Sequence, residues 1–308
     1  MFNDKNALMV GIVLFHSGKE LPVFLECTFK QIRLFNPDVI IYFLTDSYSL
    51  SDLIFPKYGI IVLDKDLFYS DKVQQLAALC TYPVDHFWTI TTTRLVYIEN
   101  FLKEYQLSDV YHFENDVLLY YTLEEHHTKF QNLYSHMAIT PGGPDRNMTG
   151  LLFIRNWESL SLMTQFFVDI MGSHTLDQLK EKYGTDMVHE MSLMRMYEIE
   201  KGMEYLGYLP ILPFDEQSRN YDIFNSIFDP ASWGQFVGGT PDGDMKGIPG
   251  VKPVGHYIGQ ILLKHPEFDV IWKKDDKDRK IPYFKYGTNE VKINNLHIHS
   301  KNLSLYMS

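Results

Sequence analysis

The chain has 308 residues, 45% of them hydrophobic and 15% aromatic, enough for one large domain with a full core and incompatible with a wholly disordered chain. Against 28 Lys and Arg stand 39 Asp and Glu, a formal net charge of -11, so the basic surface that tracks nucleic-acid phosphates is absent and no nucleic-acid partner is expected. Two cysteines, Cys27 and Cys80, are too few for a disulfide scaffold and fit a reducing compartment; without a signal-peptide pattern or an uncharged apolar run near the ~20 residues of a membrane span, no transmembrane segment is expected and the expected location is the cytoplasm.

Residues 8–15 form a continuous apolar run closed by Ser17 and Gly18, the pattern of a buried strand, and 20–35 carries Leu21, Phe24, Leu25, Thr28, Ile32 and Phe35 at helical spacing. Pro37 ends that helix, 39–44 reads as a second strand running toward Asp46, and 60–63 as a third closed by Asp64. A helix over 91–105, with Arg94 near its start, leads into a fourth strand, 110–113, that ends abruptly in Glu114-Asn115-Asp116. Strands alternating with helices predict an α/β fold with a mostly parallel central sheet flanked by helices. Ligands of such sheets lie outside the carboxyl ends of the strands, which puts Ser17, Asp46 and the 114–116 cluster along one rim.

Further on, 137–140 and 151–154 read as strands around a turn-rich stretch, 141–150. A helix is expected over 186–201, an irregular region over 221–259, and two strands over 281–286 and 291–299. No repeat or linker interrupts the chain, which reads as a single domain, 1–308, with an elaborated C-terminal half.

Two carboxylates at a strand terminus are costly to bury unless something positive compensates them. A hard divalent cation with positions open to diphosphate oxygens is one compensator, and a solvated turn is the other reading. In Leu296-His297-Ile298-His299-Ser300-Lys301 the alternation places both imidazoles on one face of a strand, where either can complete a metal site, with Lys301 beyond as a point charge for phosphate; the alternative is an edge strand with surface histidines.

The segment His112-Phe113-Glu114-Asn115-Asp116-Val117 resembles the DxD-type metal motif of GT-A-fold glycosyltransferases, with Glu114 in place of the shorter aspartate at the first acidic position and Asp116 at the last. Thr92-Thr93-Arg94-Leu95 is similar to the place where these enzymes present an arginine to the nucleotide diphosphate, and 296–301 to their C-terminal metal-binding histidine followed by a phosphate-binding lysine. Met148-Thr149-Gly150-Leu151-Leu152-Phe153 resembles the small-residue turn and strand beside the donor sugar, and His189-Glu190-Met191-Ser192-Leu193-Met194 the acidic helix start that carries the base in inverting members. Phe228-Asp229-Pro230 and Gly234-Gln235-Phe236-Val237-Gly238-Gly239 resemble segments of bacterial and algal-virus surface-polysaccharide transferases.

The resemblance implies a GT-A (Rossmann-like) fold whose half up to about residue 122 binds a nucleotide sugar, while the half from about 123 binds the acceptor and supplies a C-terminal metal and phosphate strand. It implies transfer of a sugar from a nucleoside-diphosphate sugar, UDP-xylose or a UDP-hexose first, to a glycan hydroxyl. Mn2+ stands ahead of Mg2+ because it better tolerates nitrogen ligands. The metal would be held by Asp116, Glu114 and one of His297 and His299, with His299 nearer Lys301. The diphosphate and donor would meet Arg94, Asn115, Gly150 and Lys301; base and ribose would meet Phe15, His16, Ser17 and Asp46, where core packing of Phe15 and turn capping by Asp46 are the plainer roles. The base is Glu190 by motif, with Asp186, four residues away on the expected helix, kept open; this puts inversion ahead of retention. Trp233, Gln235, Gly238, Gly239 and Tyr257, with Asp242 and Asp244, form the expected acceptor pocket. Two other readings are a nucleotide-sugar pyrophosphorylase or nucleotidyltransferase, against which 15–19 lacks an extended Gly-rich phosphate loop, and a non-catalytic carbohydrate-binding protein on the same fold. The oligomeric state is not legible.

Overall fold

In the computed structural model the described residues are 10–46, 55–80, 86–214, 217–240, 244, 246–264 and 267–308. The opening strand is β1 (Gly11–His16), followed by β2 (Ile40–Thr45), β3 (Ile60–Asp64), β4 (Ser108–Phe113), β5 (Val117–Leu119), β6 (Met137–Gly143), β7 (Arg146–Asn156) and β8 (Leu206–Tyr208). Among the described residues one seven-stranded sheet has the order β3-β2-β1-β4-β7-β6-β8, and it is parallel except that β7 runs antiparallel to both β4 and β6. The expected mixed α/β architecture is therefore present.

Side-chain alternation explains why β1 is apolar throughout. Val13 and Phe15 enter a core with Leu95, Phe101 and Phe167, whereas Ile12 and Leu14 enter a second core with Leu25, Phe29 and Phe130. Both faces are covered by helices, so each of these side chains contributes about 1.5–3 kcal/mol through burial. The helix His86–Tyr105 crosses the first core with three consecutive threonines; the hydroxyl of Thr91 donates to Glu190 Oε2, that of Thr92 to Trp88 O and that of Thr93 to Thr89 O, so their burial leaves no hydroxyl unpaired.

The C-terminal segment brings the second half to the rim. A small antiparallel sheet of β9 (Asp269–Lys274), β10 (Lys280–Tyr286) and β11 (Asn289–Lys292) packs over a third core. Beyond it β12 (Asn295–His297) pairs antiparallel with β5, setting His297 opposite Val117 just past the end of β4. The buried Asp229 carboxylate locks this arrangement: it accepts 2.8 Å hydrogen bonds from the amides of Trp233 and Gly234, in the helix Ser232–Gly238, and from the amide of His297. The helix lies so near β12 that a Cβ on Gly234 would fall 1.9 Å from His297 O.

Several boundaries differ from the sequence reading. Residues 8 and 9 lie outside the described residues. The first helix starts at Leu25, after a turn at Pro22, and the helix expected from 91 starts at His86, where an aromatic run breaks the apolar periodicity. The stretch 141–150 is mostly strand: β6 reaches Gly143 and β7 begins at Arg146, with irregular register at Thr140 and beyond Pro141. Pro141 is tolerated because β8 pairs only with 137–139, leaving Pro141 a single strand neighbour. The helix expected from 186 begins at Glu190, because Gly184, in the left-handed region, ends a separate helix, Leu176–Tyr183. The expected strand 291–299 is divided between β11 and β12, and the irregular 221–259 region holds the helices Tyr221–Phe224 and Ser232–Gly238 and the start of Tyr257–Lys264. Among the described residues no helix is long and apolar enough to cross a membrane.

Gly234→Ala should destabilise the protein by about 1–3 kcal/mol, because the contacting atom is backbone and cannot rotate away. A urea midpoint unchanged from the parent would contradict this close approach.

Candidate active site

At the first strand ends, Ser17 Oγ donates to Asp46 Oδ2 at 3.1 Å, the Gly18 amide donates to Oδ1 at 2.8 Å, and Lys65 Nζ lies 3.4 Å from Oδ2. Burial pushes Asp46 up, but the Gly18 amide and Lys65 outweigh it, so this carboxylate sits below its ordinary range and is ionised at neutral pH. Phe15 is a core residue packed on Tyr97, whose ring lies 5.3 Å from the Lys65 ammonium. His16 Nε2 lies 2.9 Å from Glu20 O, and burial lowers its pKa. The sequence reading did not single out Lys65 or Tyr97.

At the end of β4, Asp116 is buried and Glu114 partly buried, both among positive groups. Glu114 Oε1 accepts from Arg94 and, at 2.7 Å, from Thr149 Oγ1; its Oε2 lies 3.2 Å from His297 Nε2. Asp116 Oδ1 lies 3.1 Å from the same His297 nitrogen, and Oδ2 pairs with Lys301. Burial alone would raise both acids. Arg94 and His297 instead lower Glu114 to about 2, and His297 and Lys301 hold Asp116 far below the carboxylate range. Asn115 ties strands together: its Nδ2 donates to Phe15 O at 2.9 Å, and its carbonyl accepts from Thr28.

The ligand atoms of Asp116, His297 and His299 lie within 4.8 Å of one another. Rings 297 and 299 meet edge to face with centroids 4.3 Å apart. The Gln235 side-chain amide meets His299 Nδ1 at 2.7 Å. Burial lowers His299 to about 3, so the ring is neutral and carries a lone pair. The set fits a divalent cation: one ionised carboxylate oxygen and two imidazoles converge, while the buried atoms His297 Nδ1 and Asn115 Oδ1 have no hydrogen-bond partner among the described residues. Gly150 admits the His297 ring, since a Cβ there would lie 2.8 Å from Nδ1. Glu114, engaged by Arg94 and Thr149, is not part of the three-residue cluster.

Next to this cluster Arg94 Nη2 lies 4.0 Å from Glu190 Oε1, and Thr91 Oγ1 donates to Glu190 Oε2 at 2.8 Å. Burial pushes Glu190 up to about 7, with Arg94 opposing and Glu114 adding to the rise. Glu190 is the first residue of its helix, and the preceding His189 stacks on Trp88 with centroids 4.5 Å apart. Asp186 is exposed and lies before the helix, so the shared helical face expected for Asp186 and Glu190 does not exist.

The acceptor residues expected in 221–259 are mostly placed elsewhere. Trp233 is fully buried against Phe284, with its indole N–H directed to Ile211 O, so it offers no face to a ligand. Gly238 packs near Ser300, and Gly239, at φ +77°, abuts the Ile248 backbone. Gln235 belongs with His299 rather than with an acceptor. Tyr257 is half-buried at the start of its helix, Asp244 is exposed, and Asp242 lies outside the described residues. Asp229 carried no role in the sequence reading; an aspartate before Pro230 and a short helix is the signal of an N-terminal cap.

No protein-family model matches the sequence, and no curated protein matches it. Among solved structures, the apo form of mouse xyloside xylosyltransferase 1 aligns with 70% of this chain and 92% of its own at 11% identity, with a TM-score of 0.50. This chain has a GT-A-type fold. The glycosyltransferase GlyE of Streptococcus pneumoniae TIGR4, apo form, aligns over 65% of this chain and 44% of its own at 17% identity and a TM-score of 0.39. The galactosyltransferase LgtC, in complex with donor and acceptor sugar analogs, aligns over 65% and 73% at 15% identity and a TM-score of 0.40.

Gly150→Ala should push the His297 ring off Asp116 and weaken Mn2+ binding about tenfold or more, measured by calorimetric titration without nucleotide. Unchanged affinity would remove His297 from the cation site.

Proposed function

We propose that the protein is a metal-dependent glycosyltransferase that moves a sugar from a nucleoside-diphosphate sugar to a hydroxyl of a glycan acceptor, with UDP-xylose or a UDP-hexose as first donors. The carrying observation is the convergence of Asp116, His297 and His299 at the carboxyl end of β4 on a GT-A-type fold, beside the buried pair Arg94 and Glu190. The likeness in fold to a xylosyltransferase supports the class of reaction.

Asp116, His297 and His299 would hold the divalent cation, Mn2+ ahead of Mg2+ because two of the three donors are imidazoles. Such a cation neutralises the charge that grows on the departing diphosphate. Lys301, partly exposed beside Asp116, adds a mobile positive charge for the same oxygens. Arg94 holds Glu114 ionised from behind. Asp46, kept ionised by Gly18 and Lys65 on the rim, accepts from the ribose hydroxyls. Glu190 takes the proton of the attacking acceptor hydroxyl, which gives inversion at the sugar carbon.

A base whose pKa is raised is protonated, and idle, below that pKa. The rate of sugar transfer should therefore rise with pH up to about 7 and level off above it. Glu190→Gln should lower transfer by about a hundredfold or more and abolish that limb while donor binding stays intact. Asp116→Ala should abolish metal-dependent turnover with the fold retained. Retained anomeric configuration in the product, read by NMR, would remove Glu190 from the role of base, and full activity of Asp116→Ala would overturn the cation site.

A further inference from the structure

We infer that Gln235 is a positioning residue that fixes the tautomer of His299, so that the cation is held by one carboxylate and two imidazoles, a set that takes a transition-metal ion in preference to Mg2+. The inference rests on the cation site proposed above.

The helix that carries Gln235 is anchored to the same strand as the histidines. Asp229 joins the amides of Trp233 and Gly234 to that of His297, each at 2.8 Å, and the near contact of Gly234 with His297 O leaves no space for the helix to shift. On this fixed base the Gln235 amide meets His299 Nδ1 at 2.7 Å. A neutral imidazole has one N–H and one lone pair, and a metal-bound imidazole gives its other N–H to an outer partner that sets ring and tautomer. A half-turn of the Gln235 amide about its Cγ–Cδ bond exchanges oxygen and nitrogen at nearly the same place. With Oε1 toward the ring, the amide accepts from Nδ1–H and leaves the Nε2 lone pair for the cation.

The neighbouring groups divide the other tasks. His297 Nε2 already lies 3.1 Å from Asp116 Oδ1, and its Nδ1 is buried against Gly150 with no partner, so among the described residues the outer hydrogen bond is provided for His299 alone of the two rings. Glu114 has Oε1 taken by Arg94 and Thr149 and Oε2 turned to His297 Nε2 at 3.2 Å, and it stands outside the three-residue cluster. Nitrogen donors favour Mn2+ and later divalent ions over Mg2+, which prefers oxygen.

The test is calorimetric titration of the whole protein with Mn2+ and with Mg2+, without nucleotide or sugar, and the absorption spectrum of the Co2+-loaded protein. Gln235→Met keeps the side-chain length and removes the hydrogen bond. It should weaken Mn2+ binding about tenfold or more, narrow the preference over Mg2+ and change the Co2+ bands. Gln235→Glu, which still accepts from Nδ1–H, should restore the parent affinity, and in a His299→Ala background neither substitution should matter. Parent-like Mn2+ affinity and Co2+ spectrum in Gln235→Met, or in His299→Ala, would overturn the inference, as would a loss in Gln235→Glu equal to that in Gln235→Met. Metal binding that depends on Gln235 in a protein that transfers no sugar would defeat the transferase reading and leave this inference standing; sugar transfer that needs Asp116 but is indifferent to Gln235 and His299 would do the reverse.

Discussion

Burying ionised carboxylates in a protein interior costs several kcal/mol each unless opposite charge and hydrogen bonds meet them, and the rim of this sheet buries Asp116 fully and Glu114 in large part within three residues. The compensating groups come from far along the chain. Arg94 arrives on the helix that feeds β4, Thr149 on β7, and His297 and Lys301 on the C-terminal segment, which must dock on β5 to reach them. The pairing of β12 with β5, the cap by Asp229, and the glycines at 150 and 234 all serve that docking. The site and the closure of the fold are thus one structural problem with one solution.

The same charges divide the acids into distinct tasks. Glu114 and Glu190 both lie near Arg94, yet Glu114 is lowered to about 2 and Glu190 raised to about 7. Glu114 has Arg94, Thr149 and His297 on its oxygens, whereas Glu190 has a threonine hydroxyl and stands 4.0 Å from Arg94. Environments that push two carboxyl groups apart in this way separate a permanently charged group from one able to exchange a proton near neutral pH.

Much of the first half was legible in the sequence because it is written in local patterns. The apolar run of β1, the strand ends at Asp46 and Asp64, and the abrupt change from Phe113 to Glu114 each mark where an apolar strand stops and charged residues begin. Asp116, His297 and His299 were legible as residue types at strand ends, with one imidazole expected beside Asp116 and Glu114; the structure brings both imidazoles to Asp116 and leaves Glu114 outside the cluster. Illegible were features set by distant contacts. Trp233 suits a sugar by composition, but the third core encloses it. Gln235 likewise suits an acceptor sugar by composition, and only the packing of its helix on β12 brings its amide to His299. Asp186 reads as one turn before Glu190 only if the helix continues through 185–189, and the left-handed Gly184 and the separate helix before it rule that out. Pro141 and Gly142 suggest a turn, and they extend a strand because, among the described residues, β7 is their one strand neighbour.

The most direct test of the central claim is a thermal-shift panel of UDP, GDP, CMP and ADP, each with and without Mn2+, since a ligand that binds only the folded chain raises its melting temperature. The account predicts a shift for UDP that requires Mn2+ and disappears in Asp116→Ala. No shift with any nucleotide, or one indifferent to both the metal and Asp116, would contradict it.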